Sequence, residues 1–116
     1  MLDFSSRIKW VAAVVLISAS TLLAFAPALR NGFVNWDDDA YVVSNPAIKS
    51  LSFTHLKKIS TSLFVGHYQP LTVFSLALNY HFSRLRPFSY HATNIVLHVA
   101  NTLLVAWFVF LLSGHF

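Results

Sequence analysis

Three adjacent aspartates are the residues of this sequence whose type and spacing point most directly to chemistry. Asp37, Asp38 and Asp39 are three of the four acidic residues in a chain that is 56% hydrophobic and only 10% charged. Neighbouring carboxylates repel one another, which favours protonation of one of them unless a cation or hydrogen-bond donors intervene. The cluster is therefore a candidate general base or metal ligand. The alternative is that it caps a loop helix and faces water.

A second polar pattern lies at the start of a long uncharged run. His91, Asn94, His98 and Asn101 recur at spacings of three, four and three, so they share one face of a helix. Polar groups in hydrocarbon are costly without partners, so we expect this stripe to face protein or a water-filled cavity. A metal site at His91 and His98 is disfavoured, because two helical turns separate them by about 10 Å.

The basic residues are spread thinly along the chain, which carries a net charge of +4. No Lys/Arg tract resembles a nucleic-acid footprint, so we expect no nucleic-acid partner, and the cations are placed to contact lipid headgroups. The sequence contains no cysteine, which excludes disulfides and thiolate metal sites. A mean hydropathy of +0.61 and an aromatic content of 16% are typical of membrane proteins.

Two uncharged runs are long enough to cross a membrane as helices. Residues 10–29 would reach roughly 30 Å as a helix, the thickness of a bilayer core. Arg7 and Lys9 flank one end and Arg30 the other. Small side chains in this run permit close contact with another transmembrane helix. A cleaved signal peptide ending at Ala24-Phe25-Ala26 is the alternative, but the apolar run exceeds a usual signal core, which favours a retained anchor. Residues 92–113 form the second predicted span.

The segment between the two spans predicts short helices that cannot cross a bilayer. Ser52 is suited to cap a basic amphipathic helix near 52–64, which would lie on a membrane surface. Pro70 is suited to the first position of a second helix over 70–83, whose roughly twelve apolar-rich residues are too few to span a bilayer. The run Arg84-Leu85-Arg86-Pro87 then ends it.

The order of short motifs along the chain resembles the N-terminal part of one family. The motifs are Gly32-Phe33-Val34-Asn35-Trp36-Asp37-Asp38-Asp39, then His67-Tyr68-Gln69-Pro70-Leu71-Thr72, then Pro87-Phe88-Ser89-Tyr90-His91 with Asn94 and His98. They resemble the multi-spanning membrane glycosyltransferases of the C-type fold. Within these, the chain is most similar to the transmembrane, tetratricopeptide-repeat O-mannosyltransferases and their bacterial relatives. The resemblance covers about residues 10–112.

This resemblance implies a lipid-linked donor and a catalytic carboxylate. Such enzymes use a polyprenyl-phosphate sugar on the extracytoplasmic face, and an acidic residue early in the first large loop accepts a proton from the acceptor hydroxyl. That role would fall on Asp37, Asp38 or Asp39, with Asp38 or Asp37 preferred. Arg84 and Arg86 are possible contacts for the phosphate leaving group, and simple surface charge is the alternative for both. No other cofactor and no metal is expected.

The predicted fold is an all-α membrane protein with two transmembrane helices joined by an extracytoplasmic loop that contains short interfacial helices. Its predicted divisions are a cytoplasmic N-terminus (1–9), a span (10–29), the loop (30–91), a second span (92–113) and a C-terminal end (114–116). The basic residues of the loop would place it in the cytoplasm by the positive-inside rule. That rule weakens for loops of about 60 residues, so the family orientation is preferred. The expected location is an integral protein of a bacterial inner membrane.

Two functions remain open on the sequence. The first is an N-terminal membrane segment of a polyprenyl-phosphate-sugar-dependent glycosyltransferase, inactive as an isolated chain, with the aspartate cluster at its site. The second is a small two-span structural subunit of a larger membrane complex, because both spans carry faces suited to other transmembrane helices. The expected partners are membrane lipid and such helices, of this protein or of another.

Overall fold

The chain folds as a series of helices and tight turns. The computed structural model describes residues 4–113. The helices are α1 (Phe4–Phe25), α2 (Phe53–Thr61), α3 (Pro70–Ser83) and α4 (Pro87–Ser113). Shorter 3-10 turns cover Ala26–Arg30 and Pro46–Ile48, and a π-helical turn covers Asp39–Val43. The described residues contain no strand, only an isolated bridge between Phe64 and His67, which confirms the predicted all-helical class.

The elements form two compact units. Among the described residues, the helix-pair unit draws on 4–29 and 92–113, and the loop unit consists of residues 30–91. Helix α4 contributes to both, since its first residues, up to His91, belong to the loop unit.

The helix-pair unit contains the two candidate membrane spans. Segments Arg7–Arg30 and Pro87–Ser113, of 24 and 27 residues, are long and apolar enough to cross a membrane, which confirms that part of the predicted fold. Ring contacts place α1 and α4 antiparallel: Trp10 lies 5.7 Å from Trp107, and Phe25 lies 4.8 Å from His98. The side of the membrane on which the loop lies stays a prediction.

The loop unit has its own apolar core. Val73 and Ala77 are one helical turn apart, so they bury the same face of α3. Ile59 is the buried residue of α2, and Ile48 is buried in the 3-10 turn that precedes it. The full core comprises Val42, Ala47, Ile48, Ile59, Val73, Ala77 and Tyr90. These contacts hold the short elements of the loop together without a sheet.

A tight hairpin connects α2 to α3. The backbone N–H groups of Phe64 and His67 each donate to the other residue's carbonyl oxygen, both at 2.9 Å. The two residues between them adopt positive φ, +50° at Val65 and +81° at Gly66. Glycine suits this left-handed region, whereas a β-branched residue is rare there. The Tyr41 hydroxyl fixes the hairpin by donating to the Phe64 carbonyl at 3.2 Å.

Candidate functional site

The aspartate cluster follows a turn that is closed by two hydrogen bonds at Val34. The Trp36 N–H donates to the Val34 carbonyl at 2.9 Å. The Val34 N–H donates to Oδ2 of Asp38, also at 2.9 Å. Because both backbone groups of Val34 are engaged, the chain between Val34 and Asp38 is held in one conformation. Asp38 is half-buried, and one of its oxygens serves this turn.

Asp39 stabilises the π-helical turn that it begins. Its Oδ1 accepts a hydrogen bond from the Ser44 hydroxyl at 3.0 Å, and its carbonyl oxygen accepts one from the Ser44 N–H at 2.8 Å. Asp39, the first residue of the turn, is therefore bonded through its side chain and its backbone to Ser44, the residue that caps the end of the turn.

Asp37 differs from both neighbours in its surroundings. Its side chain is exposed and makes no hydrogen bond or ion pair with the described residues. The two preceding residues, Asn35 and Trp36, are also exposed, with 81% of the Trp36 surface accessible. The closed turn therefore presents an amide, an indole and a free carboxylate in succession. The sequence motif at residues 32–39 indicated the aspartates as functional residues. It gave no role to Asn35 or Trp36, which belong to the same motif.

Buried polar contacts connect the end of this segment to the loop core. Asn45 is buried: its amide donates to the Tyr41 carbonyl at 3.1 Å, and its Oδ1 accepts from the Ala47 N–H at 2.9 Å. The Lys49 ammonium donates to the Val43 carbonyl at 2.8 Å, and it lies 4.5 Å from the centre of the Tyr80 ring. The two hydrogen bonds of Asn45 satisfy a buried amide that would otherwise be costly to bury, whereas the Lys49 bond is exposed.

At the other end of the segment, Phe33 packs edge-on against the buried Tyr90 ring, with centroids 5.3 Å apart. The aspartates thus follow a residue that is anchored in the core. Contacts on both sides therefore restrain the backbone next to the exposed Asp37.

The predicted polar stripe is mostly exposed. Asn94, His98 and Asn101 are exposed on α4, and the His98 ring makes the edge contact with Phe25. His91 is half-buried, and its Nε2 is a buried atom without a hydrogen-bond partner in the described part of the chain. A partner-facing role for these four residues stays a prediction.

The candidate phosphate contacts lie in the turn between α3 and α4. Arg84 and Arg86 are both exposed, and the Arg84 guanidinium lies 5.3 Å from the Tyr80 ring centre. Their phosphate role also stays a prediction. Across residues 4–113, no group of three His, Asp or Glu side chains could hold a metal ion.

Comparison with known proteins gives two relatives with similar sequences. Protein O-mannosyl-transferase TMTC1 of Mus musculus is 31% identical over 105 residues, which cover 82% of this chain and 11% of that protein. The Homo sapiens protein of the same name is 29% identical over 104 residues, covering 82% of this chain and 12% of that protein. No family model matches the chain. No solved structure matches it.

These relatives confirm the resemblance to O-mannosyl-transferases. The chain spans about a tenth of the length of these curated relatives, with 11% and 12% covered. The bacterial relatives and the C-type fold of the sequence prediction stay untested.

Proposed function

We propose that this chain is a membrane-embedded segment of a glycosyltransferase that uses a polyprenyl-phosphate sugar donor. The similarity to O-mannosyl-transferases and the two apolar helices support this proposal. Two helices cannot enclose a lipid-linked donor, so transfer would require further helices beside these two. We expect the 116 residues alone to transfer no sugar.

The different surroundings of the three aspartates are the observation that carries the proposal. Asp38 accepts a hydrogen bond from a backbone N–H and Asp39 accepts one from a serine hydroxyl, whereas the Asp37 oxygens bond to none of the described residues. A general base needs an oxygen within hydrogen-bond reach of the proton that it removes. Asp37 meets this requirement without breaking a bond that holds the turn. We therefore assign the base to Asp37.

The proposed step is a displacement at the anomeric carbon of the donor sugar. The acceptor hydroxyl oxygen forms the new glycosidic bond while its proton passes to the Asp37 carboxylate. The bond between the anomeric carbon and the phosphate oxygen breaks, and the lipid phosphate leaves with the electron pair. A positioned carboxylate contributes on the order of 10² to 10⁴ in rate to such a proton transfer.

Trp36 and Asn35 have side chains suited to orienting the acceptor beside this base. An indole has a large apolar face that packs against C–H groups, and an amide both donates to and accepts from hydroxyls. The proposal assigns positioning to these two residues and proton transfer to Asp37. Replacement of Trp36 by alanine should therefore raise KM more than it lowers kcat.

The proposed topology places the loop outside the cytoplasm and both termini inside, in a bacterial inner membrane. The absence of cysteine allows single cysteines to report the side of each position. A cysteine at the exposed Ser44 should react with a membrane-impermeant reagent added to intact cells. Labelling of Ser44→Cys only after the membrane is opened would place the loop in the cytoplasm.

The function is tested by comparing the three aspartates one at a time in the full-length protein. Asp37→Asn should lower transfer from the polyprenyl-phosphate donor by about 10² to 10⁴. Asp39→Asn is the matched control, since it removes the same charge while its amide oxygen can still accept from Ser44. Full activity in all three Asn variants would show that none of the three aspartates is the catalytic base. A loss confined to Asp38→Asn would assign the base to Asp38.

A second function, a structural subunit of a larger membrane complex, is supported by the exposed polar side chains of α4. Asn94, His98 and Asn101 are exposed on a candidate span that contains no Asp, Glu, Lys or Arg. Such groups in hydrocarbon require partners, which neighbouring helices of a complex would supply. Photocrosslinking from position 98 distinguishes the two functions: crosslinks to another protein favour the subunit, and crosslinks within the full-length chain favour the enzyme.

A further inference from the structure

The turn between α3 and α4 presents apolar and cationic side chains together. Phe82 has 82% and Phe88 has 61% of its surface accessible, and Leu85 is exposed between them. Arg84 and Arg86 alternate with these residues and are exposed as well. No acidic residue occurs in the run from Phe82 to Phe88. The surface therefore combines apolar side chains with two positive charges and has no acidic residue of its own.

This surface is held in one shape by contacts beneath it. Arg84 has a φ of +56°, a conformation that an L-residue adopts only when its surroundings impose it. The buried Tyr90 donates its hydroxyl hydrogen to the Arg84 carbonyl at 2.8 Å, and the Arg84 N–H donates to the Tyr80 carbonyl at 2.9 Å. The hydroxyls of Ser83 and Ser89 bond to each other across the turn. With the backbone engaged inward, Phe82, Leu85 and Arg86 are exposed on the outer side of the turn. The exposed Arg84 side chain lies over the edge of this surface, 5.3 Å from the Tyr80 ring centre.

A shallow concavity lies on this outward side. It has a volume of about 490 Å³ and is lined by Phe82, Ser83, Arg84, Leu85 and Arg86. Guanidinium groups bind phosphate oxygens with paired hydrogen bonds, and they tolerate partial desolvation better than an ammonium group does. Aromatic side chains favour the boundary between lipid headgroups and acyl chains.

We propose that residues 82–88 form an interfacial anchor that binds the phosphate headgroups of anionic bilayer lipids. The next residue after Arg86 is Pro87, where the candidate span α4 begins, so the anchor lies in sequence at the end of a membrane helix. Phe82, Leu85 and Phe88 enter the headgroup boundary, and Arg84 and Arg86 contact the phosphates. The proposal rests on the membrane embedding of α4 in the proposed function, but not on sugar transfer.

The anchor is complementary in charge to its proposed ligand. Each arginine close to an anionic leaflet contributes on the order of 1 kcal/mol, or about a fivefold change in population. Two arginines and three apolar side chains act together, as stable attachment to a surface requires more than one signal. The anchor would fix the start of α4 at the headgroup level, and so fix the depth of the loop unit.

The test measures whether the turn contacts lipid in the whole chain. Leu85→Cys, labelled with a polarity-sensitive fluorophore, reports the turn in vesicles that contain a headgroup-level quencher. Removing two charges by Arg84→Gln and Arg86→Gln is compared with removing two by Lys57→Gln and Lys58→Gln, a matched control on exposed residues of α2. Vesicles rich in phosphatidylserine are compared with purely phosphatidylcholine vesicles. Resistance to carbonate extraction verifies membrane insertion separately.

The expected result is stronger quenching in phosphatidylserine vesicles, lowered about fivefold or more by the arginine pair and clearly less by the lysine pair, because the label reports the turn and not α2. Equal loss of quenching from both pairs would show only a general attraction of the loop to anionic lipid. No loss of quenching from the arginine pair would show that these arginines do not bind the headgroups. Either result overturns the proposal. If a trace of polyprenyl phosphate in phosphatidylcholine reproduced the full effect, the turn would be a donor site instead of an anchor. Failure of carbonate resistance would reject the membrane embedding, which is a failure of the proposed function itself.

Discussion

The two units of this protein use apolar side chains in opposite ways. In the loop unit, apolar residues from α2, α3 and the intervening turns bury one another, and Ile48 and Val73 are fully inaccessible. In the described part of the helix-pair unit, Ile95 is the buried apolar residue, and side chains such as Val15 and Leu104 are exposed. The loop unit therefore has an apolar core of its own, although side chains such as Trp36 and Phe82 are exposed on it. The helix-pair unit depends on lipid or on other helices to cover its surface.

This difference explains where a catalytic group can be positioned. A side chain is held accurately when packing and hydrogen bonds restrain the backbone beside it. The loop unit supplies both for Asp37, through the closed turn at Val34 and the anchored ring of Phe33. In the helix-pair unit, Asn94 and Asn101 are exposed on an apolar surface. The orientation of these two side chains would be set by a partner helix.

The largest expected effect separates the two kinds of apolar residue. Ile48→Ala should destabilise the loop unit by about 3 kcal/mol, because it leaves a cavity in a fully buried site. Val15→Ala removes an exposed side chain and should change stability by less than about 0.5 kcal/mol. Amide hydrogen exchange in α3, measured on the purified chain in mild detergent, compares the two. Equal effects would contradict the separation into a packed unit and an exposed one.

The next effect concerns the buried polar group of the loop unit. Asn45→Ala should cost about 2 kcal/mol, since it removes two hydrogen bonds and leaves buried backbone groups unpaired. Asn31→Ala is the exposed control and should be close to neutral. Denaturant unfolding followed by far-ultraviolet circular dichroism measures both. A neutral Asn45→Ala variant would mean that water replaces the lost contacts and that the site is not sealed.

The two described glycines of the loop unit provide a smaller and sharper comparison. Gly66→Ala should destabilise the hairpin by about 1–2 kcal/mol, because φ is +81° there. Gly32→Ala has open space around the added Cβ and an ordinary φ, so it should be tolerated. The difference in midpoint temperature between the two variants reports the hairpin strain. A larger loss at Gly32 would show that the turn before the aspartates, rather than the hairpin, limits the loop unit.

The smallest effect tests the exposed stripe of the helix-pair unit. Asn94→Leu should weaken assembly with partner helices by about 0.6–1 kcal/mol, as measured interhelical hydrogen bonds are small. Val96→Leu, also exposed on α4, should leave assembly unchanged because it has no polar partner to lose. Energy transfer between labelled helices in vesicles gives both values. Tighter association of the Asn94→Leu variant would show that the stripe faces water or lipid rather than protein.

Much of the helical framework is readable from the sequence because strong local signals set it. The uncharged runs predict the two candidate spans, and Pro70 lies at the start of α3, where its fixed φ suits a helix. Ser52 precedes α2 at the cap position, yet its hydroxyl pairs with His55 Nδ1 at 2.8 Å instead of capping the helix. Position along the chain was therefore predictable, whereas the side-chain partner was not.

The sequence by itself determined the polar inventory: three adjacent aspartates, a stripe of four polar residues and two arginines before Pro87. Composition and periodicity also determined the all-helical class, because both depend on residues close in sequence. Only the tertiary structure distinguished the three aspartates. Asp38 and Asp39 became structural through partners at Val34 and Ser44, and Asp37 was left exposed. The physical reason is that a backbone turn decides which side chain finds a donor, and that turn is held by a core whose residues are distant in sequence.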